Sequence, residues 1–239
     1  LWEIDRPIVG NLQQSGMWFF VGLPSKTIQP AMEKKYENAG YFMLLLFPLT
    51  FAGFYASYFS QVPNFNANIR LAHHFHGVVA TLWLVLLVTQ SFLMRYKKVA
   101  LHRVVGKLSY VVFALLIVSF FPLLRRDDVN FFALADMAGL IIFYTLGIVH
   151  KKEPGKHMRY MIAVALVFID PALGRLVFQV ASRLGHYTEA MHHITLVTIS
   201  LILVALIFFD RANHRNYRPY LVALSFYVVY QITFQVIYL

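Results

Sequence analysis

Long apolar runs separated by short polar ones make up almost the whole chain after its first forty residues. Seven apolar segments, about Tyr41–Phe59, His74–Met94, Val104–Leu124, Val129–Val149, Met158–Val180, Met191–Phe209 and Tyr220–Leu239, come near the roughly 20 residues an α-helix needs to cross hydrocarbon. They predict an all-α fold, a seven-helix transmembrane bundle over residues 41–239 with an interfacial amino-terminal arm over residues 1–40. Little chain remains between the segments, so chemistry is confined to the space between helices or to their ends.

Threading the segments back and forth brings most of the polar residues that interrupt them to one face of the membrane. His76, Trp83 and Gln90 recur at intervals of seven in the second segment and form one stripe. That stripe must face the bundle, because lipid satisfies neither an imidazole nor an amide. His73 lies one turn before His76, and His74 points elsewhere. Asp136 enters the fourth segment to a depth on the order of 10 Å, where a carboxylate must be protonated, paired with a cation or bound to metal. Pro171 predicts a bend beside Asp170, and Arg175 is expected to pair across helices with Asp136 or Asp170. His192 and His193 open the sixth segment and diverge by about 100°, so only one of them can face the core with His76. Gln231 and Gln235 add amides to the same layer. Ionisable groups gathered at one depth in lipid mark a site by default.

Composition narrows the chemistry. Hydrophobic residues are 59% of the chain and charged residues 13%, which is the balance of an integral membrane protein. The absence of cysteine excludes disulfides, thiolate metal sites, iron–sulfur clusters and covalent haem attachment, leaving histidine and carboxylate as strong ligands. The net charge of +10 does not signal nucleic acid, since the basic residues lie between segments. Sixteen of the 21 Lys and Arg fall on the side of the arm, and the positive-inside rule therefore puts the amino terminus in the cytoplasm and the carboxyl terminus outside. The polar cluster then belongs to the outer face. On the cytoplasmic side His102 and His157 open the third and fifth segments beside Arg103, Lys156 and Arg159, as ligands or as solvated helix-end residues. The arm carries Pro7, Pro24 and Pro30 and the patch Met17–Val21. It lacks the plan of a signal peptide and reads as an interfacial anchor, a docking arm for a membrane-complex partner, or a tail resting on the lipid bilayer.

The stretch His74-Phe75-His76-Gly77, then Thr81-Leu82-Trp83, Gln90 and Leu101-His102-Arg103-Val104-Val105-Gly106-Lys107, resembles a family of uncharacterised bacterial multi-pass membrane proteins. Gly155-Lys156-His157-Met158-Arg159-Tyr160-Met161 and Asp170-Pro171-Ala172-Leu173-Gly174-Arg175 are similar to the second half of that pattern. The resemblance covers about Gly53 to Arg175 and implies a bacterial inner (cytoplasmic) membrane protein without assigning an activity. More distantly, the chain resembles two-haem transmembrane cytochromes b, which implies haem b held by His76 with His193 outside and His102 with His157 inside. It departs from them in having no histidine at the outer start of the fourth segment.

Three functions stay open on the sequence. The first is a haem- or metal-binding electron-transfer protein, with Arg125, Arg126 or Arg175 pairing haem propionates. The second is a zinc-dependent intramembrane hydrolase using zinc or another divalent metal on His73, His76, His192, His193, Asp136 and Asp170. The third is a non-enzymatic subunit of a larger membrane complex that docks through residues 1–40.

Overall fold

The computed structural model describes residues 33–67, 69–124, 130–186 and 188–238. The Met17–Val21 patch and Arg125 and Arg126 lie outside them. Among the described residues the chain is helical with no strand: α1 (Ala39–Leu44), α2 (Leu46–Phe54), α3 (Leu71–Arg95), α4 (Val99–Phe120), α5 (Asn130–Val149), α6 (Pro154–Val167), α7 (Ile169–Arg183), α8 (His192–Ala212) and α9 (Arg218–Tyr238), with three single turns of 3-10 helix. Six helices, taking α6 and α7 as one, are long and apolar enough to cross a membrane.

The first apolar segment is a broken helix. Pro48 has no N–H to give the Leu44 carbonyl, and the chain changes course at Leu45, between α1 and α2. α1 packs on the last turns of α3, α2 packs on α7, and the chain returns to the start of α3 just after α2. Gly40 sits against Ser91 and Phe92, the Ser91 hydroxyl reaches the Met43 sulfur at 3.1 Å, and Tyr58 Oη meets His74 Nδ1 at 2.6 Å. Pro171 acts in the same way further on: it leaves the Val167 carbonyl without its helical donor, and α6 gives way to α7 at Phe168.

Short connections join α3 to α4, α5 to α6 and α8 to α9 as antiparallel pairs. Two of these turns use left-handed residues, Lys97 at φ 57° and His214 at φ 54°. The bundle thus has an arm end, where α3, α5 and α8 finish and residues 33–38 pack, and an opposite end, where α3, α5 and α8 begin and α7 and α9 finish. Between the ends lies a core of Trp83, Leu116, Phe143, Leu196, Ile199 and Leu203, all buried, while Val78, Val104, Leu201 and Val229 stand exposed on the outside. Apolar side chains on both faces are what a helix packed on protein on one side and lipid on the other requires.

One contact sets how closely α2 and α7 pack. A Cβ on Gly53 would lie 2.1 Å from the Ala172 carbonyl oxygen and 2.8 Å from its carbon, and the Gly53 carbonyl accepts from Gln179 Nε2 at 2.7 Å. Small residues let membrane helices approach to this distance. Gly53→Ala is expected to destabilise the protein by about 1–3 kcal/mol, read as a lower melting temperature in detergent. An unchanged melting temperature would mean that the two helices separate without penalty.

Candidate functional site

At the arm end two imidazoles from different helices face each other. His102 on α4 and His157 on α6 have ring centroids 6.3 Å apart and planes 82° to one another. Each is fixed through Nδ1. His157 Nδ1 lies 2.7 Å from the Gly147 carbonyl; a carbonyl only accepts, so the proton is on Nδ1 and the Nε2 lone pair is free. At Gly147 the absent side chain leaves room for Met161, whose Cε a Cβ there would meet at 2.1 Å. Against His102 lies the side-chain amide of Gln90, which accepts from the Gly106 N–H at 2.8 Å and donates to the His102 carbonyl at 3.2 Å and to its Nδ1. The last residue of the His76, Trp83, Gln90 stripe therefore serves the arm end.

Beside His157, Arg159 is buried at 1% exposure and uses all five of its N–H groups. Nε and Nη2 donate to Asp210 at 2.6 and 2.9 Å, Nη1 and Nη2 donate to Glu33 at 2.9 and 3.0 Å, and Nη1 also donates to the Gly155 carbonyl at 2.8 Å. The Tyr36 ring lies 5.1 Å from the guanidinium carbon and its hydroxyl donates to Asp210 at 2.8 Å. Residues 33–36 are thereby part of the bundle. The Arg159 hydrogen bonds hold the Glu33 carboxyl below its ordinary value, and burial pushes the Tyr36 phenol up. Neither Glu33 nor Asp210 stood out in the sequence. The available signal was Asp210 itself, a carboxylate closing an apolar run with Arg211 as its only basic neighbour in the helix.

The opposite end holds the Asp136 and Asp170 cluster. Both are buried and each feels the other's charge, Tyr230 donates to Asp170 Oδ2 at 2.9 Å, and His192 Nε2 stands 3.5 Å from Asp170 Oδ1. Arg175 makes no ion pair within 4.0 Å of either aspartate among the described residues: its Nη1 turns back to the Pro171 carbonyl at 2.9 Å and its guanidinium lies 4.2 Å from the centre of the Phe54 ring. The expected Arg–Asp pair is replaced by through-space attraction and stacking.

The histidines of that end go to separate partners. Ser119 donates its one hydroxyl proton to the Leu116 carbonyl, so His76 Nδ1–H is the donor in the 2.8 Å contact with Ser119 Oγ, and His76 keeps a free Nε2. His193 has no free nitrogen: Nε2 contacts Gln235 Oε1 at 2.9 Å and Nδ1 takes a proton from Gln231 at 3.3 Å. Of the adjacent pair it is His192 that turns inward, between Phe132, Phe234 and Asp170. His73 Nδ1 accepts from the Arg70 N–H and His74 is held by Tyr58 and Phe65. The expected approach of His76 to a histidine of α8 is not among the contacts these side chains make. Among the described residues, no three His, Asp or Glu side chains are grouped to hold a metal ion. No protein-family model matches the chain, and no curated protein or solved structure does either.

The double fork on Arg159 generates a prediction with a pH signature. Because its folded value lies below the ordinary 4.5, Glu33 contributes stability that is complete above pH 4.5 and is lost as the pH falls through the folded value. Glu33→Gln is expected to lower the melting temperature at neutral pH and to remove that part of the acid-induced fall. Asp210→Ala, which strips one partner from a buried cation, is expected to lose about 3–5 kcal/mol. Melting curves at several pH values check both, and an acid dependence identical in wild type and Glu33→Gln would refute the first.

Proposed function

We propose that the protein is a haem-binding electron carrier of the membrane, with His102 and His157 as the pair of axial ligands. The observation that carries this reading is their spacing. Two imidazoles on opposite sides of one metal, each bound at roughly 2 Å, have ring centroids about 6 Å apart, and these stand at 6.3 Å. The donor chemistry agrees. With no cysteine in the chain, a haem would be held without thioether bonds to the protein, as haem b is. Bound there, it would supply reversible one-electron chemistry.

What the chain's own residues contribute follows from their hydrogen bonds. The Gly147 carbonyl on His157 Nδ1–H fixes the tautomer and ring orientation and raises the basicity of Nε2, the usual arrangement behind a ligating histidine. Gln90 holds the His102 ring from α3 in the opposite sense, donating to Nδ1 while its own oxygen accepts from the Gly106 N–H, so His102 would have to give up its Nε2 proton on binding a metal. Apolar side chains of the core and lipid-facing surface restrict water, and the Arg159 lock holds α6 in place two residues beyond His157. The basic residues concentrated at the arm end support a cytoplasmic position for this pair, in a bacterial inner membrane as the family resemblance implies. The zinc-hydrolase reading has no grouped ligands to support it among the described residues.

Purified protein expressed with haem supply is expected to show a Soret band. His102→Ala and His157→Ala should each abolish it, while His193→Ala, whose nitrogens are both occupied, should keep it. Gln90→Leu should weaken haem retention by about 10- to 100-fold. A colourless wild-type preparation, or a band that survives in both histidine variants, would overturn the proposal and favour an accessory subunit that copurifies with partners.

A further inference from the structure

We propose that Asp136 and Asp170 form a proton-binding site at the end of the bundle opposite the His102–His157 pair, holding one proton between two carboxyls and exchanging it with water through His192. The case starts from burial and charge. Asp136 on α5 and Asp170 in the first turn of α7 are buried, and each feels the charge of the other. Where two carboxyls share a site away from water, like charge keeps them from ionising together, so one of them carries a proton.

A second, independent feature is the set of buried polar atoms around the pair with no hydrogen-bond partner in the protein. Asp170 Oδ1, His192 Nε2, Thr195 Oγ1 and Tyr227 Oη are all of this kind, and Asp170, Thr195 and Tyr227 are each at 1% exposure or less. His192 and Thr195 both flank Gly174, and the Tyr227 hydroxyl feels the charge of both aspartates. Unpartnered polar atoms at one buried place mark a binding site for something polar and small. A purely structural ion pair would have closed these groups on one another.

The surroundings specify a proton. Facing the pair are Arg175 from α7, His192 with His193 behind it from α8, and Tyr227 and Tyr230 from α9. His76 of α3 also feels the charge of Arg175. One arginine offsets one carboxylate, so the site is near neutral with a single proton on the pair. Tyr230 fixes Asp170 Oδ2 and leaves Oδ1 turned toward His192. The imidazole is 17% exposed against 2% for the Asp170 side chain, and it opens α8 beside the loop that ends the bundle. In the exchange step the carboxyl O–H bond breaks and an N–H bond forms at His192 Nε2, giving a carboxylate and an imidazolium. The imidazolium then gives a proton to water from Nδ1, and the balance is one proton moved from the pair to solvent.

Infrared spectroscopy of the purified protein in detergent tests this. The wild type is expected to show, at neutral pH, the C=O stretching band of a protonated carboxylic acid, shifting on transfer to D2O. Asp136→Asn and Asp170→Asn should each remove the band, while Glu189→Gln, at an exposed position, should keep it. His192→Phe should retain the band but slow its D2O shift at least about tenfold. The wild-type spectrum decides even where an aspartate variant fails to fold: absence of the band at neutral pH overturns the site. A band that persists in both aspartate variants overturns it as well, and an unchanged exchange rate in His192→Phe overturns the route through His192.

Discussion

Five N–H donors on Arg159 meet five acceptors, two on Asp210, two on Glu33 and one on the Gly155 backbone. A guanidinium buried beside lipid is tolerable only with such complete satisfaction, because the alternative is an uncompensated charge in a medium without water. The two carboxylates come from segments 126 and 51 residues away in the chain. One side chain therefore ties residue 33 and the end of α8 to the first turns of α6. The planar fork of arginine makes this geometry available, and a lysine ammonium with three donors on a flexible stem does not reproduce it. Because His157 lies on the same turn of α6 as this lock, the position of its ring is inherited from a contact it does not itself make.

The opposite end is shaped by backbone more than by charge. Pro171 starts a fresh helix at Ile169, which places Asp170 in its first turn, and α7 packs along α2. The close approach at Gly53 and Ala172 then sets how closely the two pack. Arg175 is carried to Phe54 and back toward the Pro171 carbonyl and away from a direct bond to the aspartates. A proline and a glycine, neither of them chemical, decide which charges meet.

What was legible in the sequence follows the same division. Apolar runs and their lengths are local quantities, and they predicted the helices, the two ends and the face of α3 that turns inward. His76, Trp83 and Gln90 do share one face, but a face does not name a partner. Ser119, the Phe113 and Tyr144 rings, and His102 with Gly106 take the three in turn. The 100° between His192 and His193 showed that one must turn in, and nothing local said which. The break in the first helix is marked locally by Pro48 alone, and the apolar run that continues through it masks it. Glu33, Arg159 and Asp210 were invisible as a set, since a contact between three distant segments leaves no periodic trace.

The two ends differ in how far their polar groups are satisfied. At the arm end every donor of Arg159 is matched, both carboxylates are bonded twice or more, and Tyr36 and Tyr220 extend the network. At the opposite end the aspartates have fewer partners than their lone pairs allow, and three neighbouring polar atoms, His192 Nε2, Thr195 Oγ1 and Tyr227 Oη, have none. Folding favours the first arrangement, because each buried unmatched group costs about 1–3 kcal/mol. An arrangement of the second kind persists when the surrounding fold supplies enough stability to hold it and the groups do something in their unmatched state. The Arg159 lock and the packed middle of the bundle supply that stability. The least satisfied part of the molecule is therefore where an exchangeable proton belongs, and the most satisfied part is the frame that keeps two imidazoles at a fixed separation.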